Sequence, residues 1–152
     1  MAPKVYVFKV ALREAKQIWR RIAIRSDQTL DDLHAAIYAA FDREEEHLYS
    51  FYVAPFGRKG RARLRDAEEY THPFALEDAL FPDSRLRSAA ETRIGDLTLR
   101  VRQRLHYLFD FGDSWWHELT VEQTDGPVEK GEYPRILEKQ GESPPQYPEP
   151  DG

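Results

Sequence analysis

Hydrophobic and polar residues alternate through 4–12, placing Tyr6, Phe8, Val10 and Leu12 on one side and Val5 and Val7 on the other, which predicts a strand inside a sheet. A polar connection follows, and 18–25 returns as a second strand with Ile18, Arg20, Ile22 and Ile24 on one face. The period then changes. Leu30, Leu33, Ile37 and Phe41 mark a helical stripe over 29–41, with Thr29 and Asp32 spaced as a capping box and acids in the first turn. Aromatic and β-branched residues predict a third strand over 47–53, carrying His47, Tyr49, Phe51 and Val53 on one face. Alternation of Leu97, Leu99, Val101, Leu105, Tyr107 and Phe109 favours one long strand over 97–110. A helical turn near Asp96 and Leu97, with a strand only from about Gln103, is the competing reading.

The stretch 107–117, Tyr-Leu-Phe-Asp-Phe-Gly-Asp-Ser-Trp-Trp-His, gathers aromatics, two aspartates and a histidine around one reversal. It predicts a β-hairpin: Tyr107, Phe109 and Phe111 on one side of the incoming strand, a turn at Gly112-Asp113, and Trp115, His117, Leu119 and Val121 on one side of a return over 115–123. Trp115 should then be buried and Trp116 more exposed. The prolines from Pro127 onward make about 124–152 a Pro-rich tail, with room for a short helix only over 133–140. These elements predict a single domain over 1–152 of the α+β class: one layer of mixed or mostly antiparallel sheet with one main helix packed across it. Its strand-strand-helix-strand start is compatible with a β-grasp-like core.

Composition narrows the chemistry. The absence of cysteine among 152 residues removes thiolate nucleophiles, thiolate metal ligands and disulfides. With no membrane-length apolar run and no signal-like start, the expectation is a cytoplasmic protein with no membrane partner. The net charge of -5 argues against wholesale binding to a polyanion, yet Arg58, Lys59, Arg61, Arg63 and Arg65 form a local basic stretch fit for nucleic acid or for a solvated face. Aromatics such as Tyr49, Tyr52 and Trp116 would stack bases if exposed.

Three uncommon placements define the candidate site. Arg20, His34 and His47 each fall on or beside an apolar face, where a charged or polar head needs partners. Asp110 and Asp113 are nominated for Arg20. Together with Trp115 and His117, these residues form either a satisfied polar network or a set of imidazole and carboxylate ligands: His34, His47 and His117 with Asp110 or Asp113 have the donors that zinc or another divalent metal takes. No His-Glu-x-x-His helix, Gly-x-Ser-x-Gly elbow or Gly-rich phosphate loop is present.

The combination of Ile18-Trp-Arg-Arg, Leu30-x-x-Leu-His34, His47-Leu-Tyr-x-Phe51, the 107–117 core and Tyr133-Pro-Arg-x-Leu followed by Gly141-Glu-Ser-Pro-Pro145 resembles the plasmid-Ri open-reading-frame-three-like family, met on plasmids, on chromosomes and as insertion-element passenger proteins. The resemblance spans nearly the whole chain and implies an α+β domain in a family without an established biochemical activity. Many members follow Pro-Pro with Glu-Asp and a Gly-Gly pair, a pattern from which Gln146 to Gly152 departs. The function expected is a non-catalytic binding or regulatory module with a macromolecular partner and no cofactor. The alternatives are a metal-dependent, hydrolase-like enzyme using the His/Asp cluster, and a nucleic-acid-binding accessory protein.

Overall fold

The computed structural model describes residues 2–54, 67–74 and 86–146. Their strands form one eight-stranded sheet: β1 (Val5–Leu12), β2 (Ala15–Arg25), β3 (Tyr49–Val53), β4 (Glu68–Thr71), β5 (Leu86–Ser88), β6 (Arg104–Phe109), β7 (Trp115–Gly126) and β8 (Arg135–Gln140). The spatial order is β5-β4-β3-β6-β7-β1-β2-β8. All neighbours are antiparallel except β4 and β5, which are parallel.

Helix α1 (Leu30–Ala40) forms where the stripe and capping box predict it. The Thr29 side chain accepts from the Asp32 backbone N–H, and the Asp32 carboxylate accepts from the Thr29 N–H, which satisfies donors the first turn leaves orphaned. Leu30, Leu33 and Ile37 are buried with Phe8, Val10, Ile22, Phe51, Leu105, Leu119 and Val121 in one core on one face of the sheet. Each such side chain contributes about 1.5–3 kcal/mol on leaving water. The opposite face is barer. It carries a small apolar patch of Val5, Val7 and Ala23 under Tyr133, and its cations are matched by acids, Arg21 with Glu122 and Glu138, Lys16 and Arg104 with Glu118.

This overturns the expected fold class. Among the described residues the molecule is a strand-dominated, eight-stranded mixed sheet carrying one α-helix, rather than a five-strand layer organised by its helix. The strand after α1 does not join β1, whose neighbours are β2 and β7, so no β-grasp core forms. The strands missed in sequence, β4, β5 and β8, are short or polar and gain their place through backbone pairing at the ends of the sheet.

Two further expectations change. The long strand over 97–110 is broken: Ile94–Leu97 is a 3₁₀ turn, Thr98 and Arg102 have φ of 49° and 77°, and pairing begins at Arg104. Gln103 fixes the break, accepting from the Arg100 N–H and donating to the Ala54 carbonyl. The segment expected as a short helix over 133–140 is β8, laid along β2 with Ile136 opposite Ile22. The basic stretch Arg58, Lys59, Arg61, Arg63 and Arg65 lies outside the described residues. No helix among the described residues is long and apolar enough to cross a membrane.

Candidate functional site

Alternation along β3, β6 and β7 turns Tyr49, Phe51, Tyr107, Phe109, Trp115 and His117 toward α1. This aromatic layer encloses the polar groups singled out in sequence, but it sorts them into three separate places.

The first lies beneath the N-terminal half of α1. His34 is 4 % exposed, and its ring stacks on Tyr49 at 3.9 Å between centroids and 8° between planes. Its Nδ1 is 2.6 Å from the Tyr107 hydroxyl and its Nε2 is 3.1 Å from Glu46 Oε2. A carboxylate can only accept, so Nε2 carries the proton and Tyr107 donates to Nδ1. Burial lowers the His34 pKa against the opposing pull of Glu46, which keeps the ring neutral. The buried Tyr107 hydroxyl is pushed well above its ordinary pKa by desolvation. Tyr49 is raised by burial and by its hydrogen bond to Asp31, so it too stays a donor. The result is a directed arrangement in which neutral donors hold two carboxylates, Tyr107 to His34 to Glu46 and Tyr49 to Asp31.

Both carboxylates line an open cleft of about 580 Å³, together with His34, Ala35, His47, Leu48, His72 and Phe74. Behind it, His47 Nε2 lies 3.5 Å from Asp110 Oδ2. Asp110 is buried at the start of the reversal with φ of 62°, and its Oδ1 accepts from the Gly112 and Asp113 N–H groups. The turn therefore spans 110–114 rather than Gly112-Asp113 alone, and Phe111 points out at 41 % exposure. Asp113 is exposed and enters the turn through its backbone N–H.

The second place is His117, 1 % exposed and opposite Tyr107. Its Nε2 is 3.1 Å from Arg43 Nη2, and its Nδ1 faces the Tyr107 and Trp115 carbonyls without reaching hydrogen-bond geometry. Burial, with Arg43 adding to it, lowers its pKa to about 3.

The third is Arg20, whose nominated aspartate partners are not its partners. Its Nε donates to the Ala40 carbonyl at the end of α1, Nη1 to the Trp19 and Gln140 carbonyls, and Nη2 to Ser143 Oγ, with the guanidinium over the Phe41 ring. The Ala40 carbonyl is free to accept because a helix C-terminus leaves orphan acceptors of negative polarity, while the Trp19 and Gln140 carbonyls come from β2 and the end of β8. Gly141, at φ 81° and close against Ile18, turns the chain after β8 and so delivers Ser143.

The expected network is thus not continuous, and neither is the expected ligand set. His34 and His47 share the cleft, His117 is sealed in the core, and Asp113 faces solvent. Among the described residues no three His, Asp or Glu side chains gather closely enough to hold an ion. Trp115 and Trp116 do point to opposite faces, yet both are half-buried: Trp115 packs on the core, while Trp116 stands between Tyr52 and Arg13. Tyr49 is wholly buried and cannot meet a base. Sequence reasoning missed Asp31, Glu46, His72 and Arg43. Asp31 had a signal, since it precedes His34 by three residues on a helix and so shares its face; Gln146, which accepts from the Glu44 and Glu45 N–H groups and donates to the Glu45 carbonyl, had none.

Comparison with known proteins places this arrangement in company whose activity is not described. The uncharacterised protein y4hQ of Sinorhizobium fredii is 29 % identical over 147 residues, covering 96 % of this chain and 67 % of that one. The crystal structure of MM3350, a protein of unknown function from Methanosarcina mazei Go1, superposes with a TM-score of 0.73 at 25 % identity, covering 96 % of this chain and 74 % of that one. The family model for plasmid pRiA4b ORF-3-like proteins matches residues 4–147, and the chain belongs to that family.

Proposed function

We propose that the protein is a non-catalytic binding module whose cleft receives a cationic group, an ammonium or guanidinium of a partner. The observation that carries this reading is the paired fixing of Asp31 and Glu46. Each carboxylate is held by a neutral donor, Tyr49 or His34, and keeps further lone pairs for the cleft. A site built this way is acceptor-rich and negative, and its acids are oriented before any ligand arrives, which lowers the entropic cost of binding. Phe74, 64 % exposed at the rim, and Leu48 offer apolar surface to the stem of a lysine or arginine.

Calorimetric titration with L-argininamide tests this. The expected result is saturable one-to-one binding, weakened roughly tenfold or more by Glu46→Gln or Asp31→Asn through loss of a charge-assisted hydrogen bond. Binding that is indifferent to both substitutions refutes the reading. One-to-one binding of zinc with no response to argininamide would favour the metal-dependent alternative at the same histidines and acids.

A further inference from the structure

Arg43 carries a charge that its neighbours do not neutralise. It is 7 % exposed in the loop after α1, with its guanidinium 4.4 Å from the Trp115 ring centroid, 5.7 Å from Phe109 and 5.8 Å from Phe41. Its Nη2 meets the neutral His117 imidazole. The Nη1 has no hydrogen-bond partner, and neither has the adjacent Trp115 Nε1; both atoms are buried. Among the described residues no carboxylate forms an ion pair with Arg43. Arginine keeps its proton at any pH a folded protein survives, so a full positive charge sits in an aromatic layer with two N–H donors to spare. Arg20 shows the contrast, being equally buried but satisfied on every nitrogen by carbonyls and a hydroxyl.

We propose that Arg43 and Trp115 form a receptor for the carboxylate of a ligand, with Arg43 Nη1 and Trp115 Nε1 donating to its two oxygens and the Phe41 and Phe109 rings taking its apolar carbon. A monoanion matches the single buried charge, whereas a phosphate dianion would bring a second, uncompensated one. Trp115 is half-buried with its Nε1 buried, so the carboxylate enters as the Trp115 side chain swings outward and is bound when the indole returns over it. The site is separate from the cation cleft and stands or falls independently of it.

Thermal denaturation in sodium propionate, against sodium chloride of equal ionic strength, tests the proposal. Propionate raises the melting temperature of the wild type in a saturable way. Trp115→Phe, which keeps an aromatic ring but removes the N–H, needs roughly tenfold more propionate for the same shift, and Arg43→Gln does not respond. Inorganic phosphate gives no saturable rise, only the unsaturable salt effect it has on folded proteins generally. The proposal is overturned if the wild type fails to respond, if Trp115→Phe responds like the wild type, or if phosphate matches propionate. Should Arg43→Gln fail to fold, Trp115→Phe alone decides. An acetylated alanine peptide with a free C-terminus separates the two sources of the carboxylate: binding at least as tight as propionate assigns a chain end, and binding of propionate alone assigns a small free acid.

Discussion

His117 must stay neutral for the fold to hold, and the consequence is measurable. Its Nε2 accepts from Arg43, so protonation would set a donor against a donor and a positive charge beside a buried guanidinium. Phe41 and Tyr107 close over the ring at 5.2 Å and 5.0 Å and leave it buried. With the folded pKa lowered to about 3 and an unfolded value near 6.5, the unfolded chain binds the proton first as pH falls. The stabilisation is therefore complete above about pH 6.5 and is lost progressively below it, by about 1.4 kcal/mol per pH unit until the folded group itself titrates. Between pH 6.5 and 4.5 that amounts to about 2.7 kcal/mol, a large share of the stability of a domain this size. Urea titrations of the wild type and His117→Gln at pH 7, 6, 5 and 4.5 isolate the effect. The lowered pKa of His34 acts in both proteins and cancels. The stability difference between them should shrink by about 2–3 kcal/mol across the range. A pH-independent difference, or an NMR titration of His117 in the folded state with a midpoint near 6.5, would mean that burial does not hold His117 neutral.

Arg20→Met should cost about 2–5 kcal/mol in urea denaturation, because the Ala40, Trp19 and Gln140 carbonyls lose their donor; a loss under 1 kcal/mol would mean that water replaces it. Gln146→Ala should speed hydrogen exchange at the Glu44 and Glu45 amides while destabilising the whole by roughly 1–3 kcal/mol, and unchanged exchange there would deny the clamp. Thr29→Ala should cost about 1 kcal/mol through loss of the cap, read from the urea midpoint, with Thr29→Ser close to the wild type.

What was legible in the sequence follows from which interactions are local. The helix declared itself because its stripe, its cap and its first-turn acids all lie within a dozen residues, and the hairpin because Tyr107, His117 and Leu119 alternate around one turn. Arg135 to Gln140 misled because, as an isolated hexamer, its polar character does not distinguish strand from helix. Pairing with Trp19 to Ala23, more than a hundred residues away, decides the matter. The break before β6 hid for a similar reason: Leu99 and Val101 alternate, but left-handed Thr98 and Arg102 and the Gln103 bridge to Ala54 depend on tertiary context. At the site, His34 was visible as a histidine on an apolar stripe, and its neighbour Asp31 read only as a cap-region acid. Arg43 was masked by the acids around it in sequence, since nothing local reveals that Phe41, Phe109 and Trp115 converge on it.

The cation cleft is tested most directly by a ¹H–¹⁵N NMR titration of the full chain with L-argininamide, following backbone amides and the His34 ring nitrogens together. Saturable shifts confined to residues around Asp31, His34, Glu46 and His72 are expected, with His34 Nε2 remaining protonated throughout. Shifts centred on the opposite face of the sheet, around Tyr52 and Trp116, or no saturable shift at the cleft, would contradict binding there.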